Sequence, residues 1–297
     1  MLKSLVVNAD DLGLTIGVND GIFDAHDRGI LTSASLFAQA PETADAIRRA
    51  RSRPTLGVGL HLALVDGRPT LPPDRVPTLV GDDGRFRTSW KPFVVACLLG
   101  RVALDDVERE LTAQIVRIRD AGIQLTHLDA HKHVHAFPPI FAIVARLAER
   151  FRIPAVRVPY ERWSLPWGND RQQRVARAQA LLNASMLPWA RRDYRIASAR
   201  GIRTRQFVGR THTGILSADS LEGLLTRLRP GVTELMVHPG YVDNALLNAG
   251  TRLVSSREEE VRLLCASRTR DLLLHERIQL VRHDLVVSAS RSFRHAS

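Results

Sequence analysis

Two adjacent carboxylates follow a short apolar segment at the start of the chain. Asp10 and Asp11 come shortly after residues 5–7 (LVV), a run typical of a buried strand. An ionised group held out of water costs several kcal/mol unless another charge compensates for it. Because a metal ion is a frequent compensating charge, the pair predicts a metal-dependent site whose other ligands lie further along the chain.

A histidine-rich segment in the middle of the chain supplies candidate ligands. His127, Asp129, His131, His133 and His135 fall within nine residues. Alternate residues of an extended strand share a face, so His127, Asp129 and His131 are predicted to point the same way. Imidazole nitrogen and carboxylate oxygen suit Zn²⁺ and similar divalent ions. A lone histidine would be an ordinary core or surface residue, but this density favours a metal role.

The two carboxylates are expected to differ in their tasks. Asp is common where a strand leads into a helix, so one of the pair could serve only as a helix cap. Adjacent residues point in different directions, which favours one carboxylate binding metal while the other accepts a proton from water. One Asp and two His ligands leave positions for water and substrate, as in catalytic rather than structural sites.

A further histidine ends the segment 234–240 (ELMVHPG). Pro239 and Gly240 force a turn that fixes the position of His238. The ordinary pKa of histidine makes His238 a candidate general acid. A turn histidine without a catalytic role is the alternative interpretation.

Short β-type runs alternate with segments of helical period along most of the chain. Predicted strands cover residues 3–8, 31–37, 56–62, 123–129, 154–158, 204–208, 232–238 and 278–282. Predicted helices cover residues 18–28, 42–52, 104–121, 138–150, 171–185, 217–229 and 256–275. This alternation predicts an α/β fold, a distorted (β/α) TIM-like barrel in a single domain. An open doubly wound sheet is the alternative, although the first βα turn lacks the GxGxxG motif of a dinucleotide site.

Polar residues recur where the predicted strands end. They are Asp10 and Asp11, His61, the cluster from His127 to His135, Arg157, Glu161, His212 and His238. The strand ends of a (β/α) barrel open on one face, where active sites are built. We therefore expect residues more than 220 positions apart in the sequence to converge.

Residues 65–103 interrupt the strand–helix rhythm and are predicted to form an insertion at the barrel mouth. Turn-forming Gly and Pro residues precede an apolar stretch at 90–101. That stretch could be a flap that meets lipid, a dimer contact or a helix packed on the barrel. At the other end of the chain, residues 286–297 are expected to be a disordered tail.

The composition fits a globular protein, with 44% hydrophobic and 25% charged residues and a formal net charge of +11. No apolar run reaches the roughly 18 residues of a membrane span, and the N-terminus lacks a signal peptide, so a cytoplasmic location is expected. Cys97 and Cys265 are predicted to be reduced thiols.

The basic residues are dispersed along the chain, which disfavours nucleic acid as a partner. A nucleic-acid-binding protein with a structural metal is the non-enzymatic alternative.

Four motifs, in this order, resemble the signature blocks of the YdjC-like (ChbG-type) carbohydrate deacetylases. They are residues 8–13 (NADDLG), 59–62 (GLHL), 127–135 (HLDAHKHVH) and 234–240 (ELMVHPG). The resemblance covers roughly residues 1–285 and implies a distorted (β/α) barrel that binds a divalent metal. It matches Asp11, His61 and His131 to the metal ligands, Asp10 to the catalytic base and His238 to the acid.

The resemblance also implies one divalent ion, Zn²⁺ or Mg²⁺ first and Mn²⁺ or Co²⁺ next. Asp129 is expected to orient an imidazole that binds the metal, without binding the metal itself. The remaining candidates for substrate binding or support of the ligands are His133, His135, Arg157, Glu161 and His212.

Softer motifs, among them residues 156–161 (VRVPYE) and 187–190 (LPWA), resemble the hopanoid-biosynthesis-associated members. They imply an N-acetylglucosaminyl hopanoid as substrate, with peripheral contact to the inner membrane. A chito-oligosaccharide deacetylase and another barrel metallohydrolase, such as a phosphoesterase or amidohydrolase, are the alternative enzymes. A homodimer is left open.

Overall fold

The computed structural model describes residues 2–162 and 170–284 of the 297-residue chain, and the tail predicted at 286–297 lies outside these ranges. Within them, seven parallel strands form one sheet. The strands are β1 (Lys3–Leu12), β2 (Ser33–Leu36), β3 (Gly57–Leu62), β4 (Leu128–Ala130), β5 (Gln206–Val208), β6 (Gly231–Val237) and β7 (Ile278–Leu280). The helices are α1 (Ile16–Asp27), α2 (Thr43–Arg51), α3 (Trp90–Leu98), α4 (Leu104–Asp120), α5 (Pro138–Arg150), α6 (Asp170–Ser185), α7 (Leu187–Ala199), α8 (Ala218–Thr226), α9 (Asn244–Asn248), α10 (Ser256–Cys265) and α11 (Ser267–His275).

The first strand is the centre of the sheet. The order is β4-β3-β2-β1-β6-β5, and β7 pairs with the start of β1 at Lys3–Leu5, before β2 pairs with its later residues. All residues of β1 after Lys3 are buried, which fits a parallel strand covered on both faces. Because the strands are parallel, the carboxyl ends of β4, β3, β2, β1 and β6 lie along the same edge of the sheet.

An eighth segment joins the two outer strands, β4 and β5, of the curled sheet. Residues 155–161 make isolated parallel bridges, Leu128↔Val156 towards β4 and Glu161↔Phe207 towards β5. The Arg157 amide donates to the Leu128 carbonyl at 3.0 Å, so the connection is hydrogen-bonded. The predicted α/β fold is confirmed, in the form of a curled, parallel half-barrel sheet.

Two predicted strands are much reduced. The strand expected at 123–129 contains only Leu128–Ala130, and the one at 154–158 is reduced to isolated bridges. Pro154 and Pro159 bound the second segment, and a proline has no amide to donate to a sheet. Sheet pairing at this side of the barrel is consequently short, and side chains contribute much of the contact.

The helix predicted at 256–275 is two helices. Ala266 has an extended backbone (ψ 138°), ends α10 and begins α11. Helix α7 was not predicted, although it begins with Leu187-Pro188 and proline suits a first helical turn. The uniform helical period of 256–275 contains no residue that marks the break.

The segment predicted as an insertion contains an antiparallel bridge between Val80 and Phe86, followed by α3. Helix α3 packs against the turn formed by residues 131–136. Its outer face exposes Val95, Leu98 and Leu99, with 53%, 68% and 60% of their surfaces accessible. Across the described ranges, every helix is too short or too polar to span a bilayer.

Gly59 is required where β3 passes the barrel interior. A Cβ built at Gly59 would lie 2.3 Å from Cε1 of His127, whose ring is fully buried. We predict that Gly59→Ala lowers the free energy of unfolding by roughly 1–3 kcal/mol, because the imidazole must move within a packed core. Urea denaturation followed by circular dichroism measures the change.

Gly81→Ala is the matched control, because a Cβ there meets only the Asp83 carboxylate at 3.4 Å. The double variant Gly59→Ala/His127→Ala lacks the clashing ring. Its loss of unfolding free energy should therefore be smaller than the sum of the losses of the two single variants. A purely additive double variant would contradict the clash.

Candidate metal centre and active site

The end of β1 brings both adjacent carboxylates into the barrel interior. The pairing of β1 with β2 shifts register between Ala9 and Leu12, and Asp11 adopts a left-handed backbone with φ 69°. A bulge of this kind re-aims a side chain that a regular strand would direct to the opposite face. Asp10 and Asp11 are consequently both buried and both hydrogen-bonded to interior arginines.

Asp11, His61 and His131 converge on one point. The Asp11 Oδ1 atom lies 3.6 Å from Nε2 of His61 and 3.5 Å from Nδ1 of His131. Ligand atoms about 2.0–2.2 Å from a zinc ion lie about 3–3.5 Å from each other, so these separations suit a shared divalent ion. The three donors match the predicted ligand set.

Each candidate imidazole ligand is held through its other ring nitrogen. His61 Nδ1 lies 2.8 Å from Oδ1 of Asp129, its register partner on β4. His131 Nε2 lies 3.1 Å from Oδ2 of Asp66. Such carboxylate partners fix the tautomer and orientation of a metal-binding imidazole. Both rings therefore present their remaining nitrogen towards Asp11.

The histidine-rich segment leaves the extended conformation after Ala130, one residue beyond the end of the predicted strand at 123–129. Strand β4 ends at Ala130, and Lys132 and His133 both have left-handed backbones, with φ 52° and 55°. His131 still reaches Asp11, but from the first residue of a turn. His127 lies deeper, where it bonds to Ser35 at 3.0 Å and stacks on His283.

Arg157 binds three carboxylates in the barrel interior. Its guanidinium nitrogens lie 2.7 and 2.8 Å from the two oxygens of Asp10, 2.8 Å from Asp129 and 2.7 Å from Glu234. Burial raises the pKa of Asp10, and the charge of Arg157 offsets that rise only in part. Although burial alone would raise them, Arg157 lowers the pKa of Glu234 to about 2 and holds that of Asp129 well below its usual range.

A second buried guanidinium binds the candidate metal ligand Asp11. The Arg257 Nη2 atom lies 2.5 Å from Oδ2 of Asp11 and, despite burial, holds the pKa of Asp11 well below its usual range. Among the described residues, Asp10, Asp11, Asp129 and Glu234 bond to two guanidiniums, so arginine alone does not balance the four carboxylates. A divalent cation would add positive charge to this cluster.

The position of His131 also attracts positive charge. Burial lowers its pKa, but the hydrogen bonds and charges of Asp11 and Asp66 outweigh burial and raise the pKa to about 9. A second trio, Asp10, His61 and Asp129, is equally compact. Its members already bond to Arg157 and to each other, so the trio of Asp11, His61 and His131 fits a cation better.

His238 lies beside the two carboxylates at the end of β6. Ala9 pairs with Val237, so His238 follows β6 where Asp10 follows Ala9 in β1. The His238 amide donates to Oε2 of Glu260 at 2.5 Å. Burial lowers the pKa of His238 to about 3 even though Asp11 raises it, so the imidazole is neutral at rest.

The other two predicted histidines of the cluster line the same end of the barrel. His135 Nε2 lies 2.9 Å from the Arg157 carbonyl, and burial lowers its pKa to about 4. The half-buried ring of His133 packs edge-on against Phe207, and burial holds its pKa well below the ordinary value. His135 thus supports the backbone of Arg157, while His133 lies closer to the opening.

The structure places Glu161 and His212 in a separate cluster around Thr211. The Glu161 carboxylate accepts from the amide and the hydroxyl of Thr211, both at 2.9 Å. His212 Nδ1 lies 3.1 Å from the same hydroxyl. Burial raises the pKa of Glu161 despite these donors. These two residues shape the loop after β5 and are not brought to the Asp11 trio.

Sequence reasoning missed four residues of the centre. Glu234 carried a signal, because a charged residue inside a buried strand demands compensation. Asp66 precedes a glycine and is typical of a turn, and Glu260 and Arg257 lie in a polar helix with several similar residues. Nothing in the sequence distinguishes these last three from surface residues.

Glu260 generates a pH dependence of stability. Burial raises the pKa of its carboxyl from 4.5 to about 7, so the folded protein keeps a proton that the unfolded chain loses above 4.5. The stability that Glu260 contributes, relative to Gln at the same position, should therefore fall by about 3 kcal/mol as the pH rises from 4.5 to 7. We predict that Glu260→Gln removes this loss, measured by denaturation of chelator-treated protein between pH 5 and pH 8.

Glu259→Gln is the matched control, because Glu259 is partly exposed and pairs with Arg262 at the surface. Its stability should follow the parent protein within about 0.5 kcal/mol at each pH. Parallel pH profiles for Glu260→Gln and the parent would refute a protonated Glu260.

Known proteins resemble this chain in sequence and in fold. Residues 4–275 match the sequence model of the YdjC-like proteins. The chain is 35% identical over 278 residues to a carbohydrate deacetylase of Brevibacillus brevis, covering 93% of this chain and 97% of that protein. It is 34% identical over 265 residues to a carbohydrate deacetylase of Geobacillus stearothermophilus, covering 89% and 90%. A crystal structure from Enterococcus faecalis, of a protein named for cellobiose-phosphate cleavage, matches with a TM-score of 0.76 and 25% identity over 96% of this chain and 98% of that chain. The chain therefore belongs to the YdjC-like protein family.

Proposed function

We propose that this protein is a metal-dependent carbohydrate deacetylase that hydrolyses the N-acetyl group of an acetylated amino sugar. The convergence of Asp11, His61 and His131 at the strand ends is the observation that carries the proposal. Relatives named carbohydrate deacetylases, aligned over about nine-tenths of the chain, support the reaction class.

Asp11, His61 and His131 are the residues that would hold the ion. One carboxylate and two imidazoles accept Zn²⁺ or Mg²⁺, and also Mn²⁺ or Co²⁺. When bound, such an ion polarises a carbonyl and makes water more acidic. Three protein ligands leave positions for water and for the acetyl oxygen.

Asp10 is the proposed base. Its raised pKa makes the carboxylate a stronger proton acceptor than an ordinary aspartate. Arg157 contacts both of its oxygens, and Asn8 contacts one at 3.2 Å, so the carboxylate has a fixed direction. Asp10 would accept the proton of the attacking water while Arg157 keeps it in place.

His238 is the proposed acid, which protonates the leaving amine so that the C–N bond can break. Its imidazole is neutral at rest, so it must gain the proton it delivers during the reaction. The pairing of Ala9 with Val237, the residues that precede Asp10 and His238, supports a transfer of that proton from Asp10. The products are acetate and the free amino sugar.

For the substrate, we propose a lipid-linked amino sugar, N-acetylglucosaminyl hopanoid, ahead of a chito-oligosaccharide. The exposed apolar face of α3, formed by Val95, Leu98 and Leu99, lies next to the turn that carries His131. Such a face could contact the lipid part or a membrane surface during catalysis. A different barrel metallohydrolase, acting on a phosphoester or another amide, is the alternative.

Removing a ligand tests the metal centre. We predict that Asp11→Asn and His131→Ala lose the bound ion and lower acetate release from an N-acetylated sugar at least about 100-fold. Metal content by elemental analysis and acetate by enzymatic assay measure the two effects. His275→Ala, at an exposed helix end, is the matched control and should keep both. Full metal content with full activity in either ligand variant would overturn the assignment.

Substitutions on the apolar face of α3 test the proposed lipid-linked substrate. We predict that Leu98→Ser/Leu99→Ser raises KM for an N-acetylglucosaminyl lipid about tenfold or more, because two exposed leucines lose their apolar contact. KM for a soluble chito-oligosaccharide should not change. Leu247→Ser, which alters an equally exposed leucine on α9, is the control. If the parent hydrolyses only the oligosaccharide, or if both KM values respond alike, a lipid-linked substrate is wrong.

A further inference from the structure

A cavity lies next to β5, and Asp11, His61 and His131 are not among its lining residues. It has a volume of about 920 Å³ and runs between α7 and α8, with β5 as its floor. The ring of Phe207 lines it and also lies 5.3 Å from the guanidinium carbon of Arg157. Phe207 therefore borders both this cavity and the buried arginine of the barrel interior.

The cavity is strongly basic. Five arginines line it, and no carboxylate occurs among its lining residues, all of which belong to the described part of the chain. They are Arg162, Arg191, Arg205, Arg227 and Arg229. Arg162, Arg227 and Arg229 also have partners of their own. A lining of this charge favours an anion, and the planar guanidinium suits a carboxylate or phosphate in particular.

Arg205 has a buried donor that is not satisfied. Its Nη2 donates to the His283 carbonyl at 2.9 Å, but its buried Nε has no hydrogen-bond partner among the described residues. Burial and the neighbouring Arg203 lower its pKa, and Glu234 compensates only in part. A buried donor without an acceptor costs about 1–3 kcal/mol, which an acceptor from a ligand would recover.

The walls of the cavity are apolar. Leu187 and Ala190 of α7 face Leu224 of α8 and nearby Leu228. The volume lies in the upper part of the range of about 300–1,000 Å³ that is typical of small-molecule sites, which exceeds the needs of a phosphate ion alone. The lining thus combines apolar side chains with several arginines.

We propose that this cavity binds an anionic amphiphile, a ligand with an apolar chain and a single carboxylate or phosphate head. The chain lies against the leucines of α7 and α8, and the head accepts from Arg205 and from Arg191 at the rim. This site is independent of the deacetylase proposal, because it shares no residue with the metal ligands or with Asp10 and His238.

Calorimetric titration of the full-length protein tests the site with three probes. Oleate has both chain and head, oleyl alcohol has the chain alone, and inorganic phosphate has the charge alone. We expect one oleate per chain, with oleyl alcohol and phosphate each at least tenfold weaker. Absence of saturable oleate binding, or phosphate binding as tight as oleate, would overturn the proposal.

Four variants locate the binding. Arg205→Gln and Arg191→Gln should each weaken oleate about 10–100-fold, as expected for a lost charge-assisted hydrogen bond. Leu187→Trp should obstruct the cavity from a half-buried position and reduce binding without removing an arginine. Arg195→Gln, one turn along α7 on the exposed surface, should bind as the parent does. Unchanged affinity in both Arg205→Gln and Leu187→Trp would place oleate elsewhere and refute the site, whatever the deacetylase activity of the protein.

Discussion

The contact between Arg157 and its three carboxylates is the interaction on which the centre of the molecule depends. Asp10 comes from β1, Asp129 from β4 and Glu234 from β6, and one guanidinium lies within 2.8 Å of all three. Three carboxylates this deeply buried would repel one another and remain unsolvated without it. The segment that carries Arg157 also bridges the outer strands β4 and β5. The same segment therefore connects the edges of the sheet and balances the buried charge.

This compensation is incomplete in a way that creates the site. Arg157 and Arg257 are the described guanidiniums that bind the four carboxylates, so arginine alone does not balance their charge. Asp11 and Asp66 raise the pKa of His131 despite its burial, so positive charge is also favoured at this position. The cation site is therefore a property of the whole buried network as well as of its three ligand atoms.

The sequence allowed the polar strand ends to be predicted, because carboxylates and histidines follow apolar runs at a repeated place in a βα alternation. Asp10, Asp11, His61, His131 and His238 do converge in the described structure. The backbone conformations that orient these side chains could not be predicted from the sequence. The left-handed conformations of Asp11, Lys132 and His133 belong to residue types that adopt many conformations, and only the surrounding tertiary contacts select these.

The sequence also did not allow prediction of the residues that bind Asp11 and His131 from distant segments with the composition of a protein surface. Arg257 meets Asp11 across 246 positions, from a helix whose composition is that of an exposed face. Asp66 belongs to the segment predicted as an insertion, where an Asp-Gly pair is typical of a turn. Its carboxylate binds His131 and Lys132 together, and its amide donates to the Arg87 carbonyl. Because the same residue ties residues 66–87 to a candidate metal ligand, any movement of that segment on substrate binding would act on the orientation of His131.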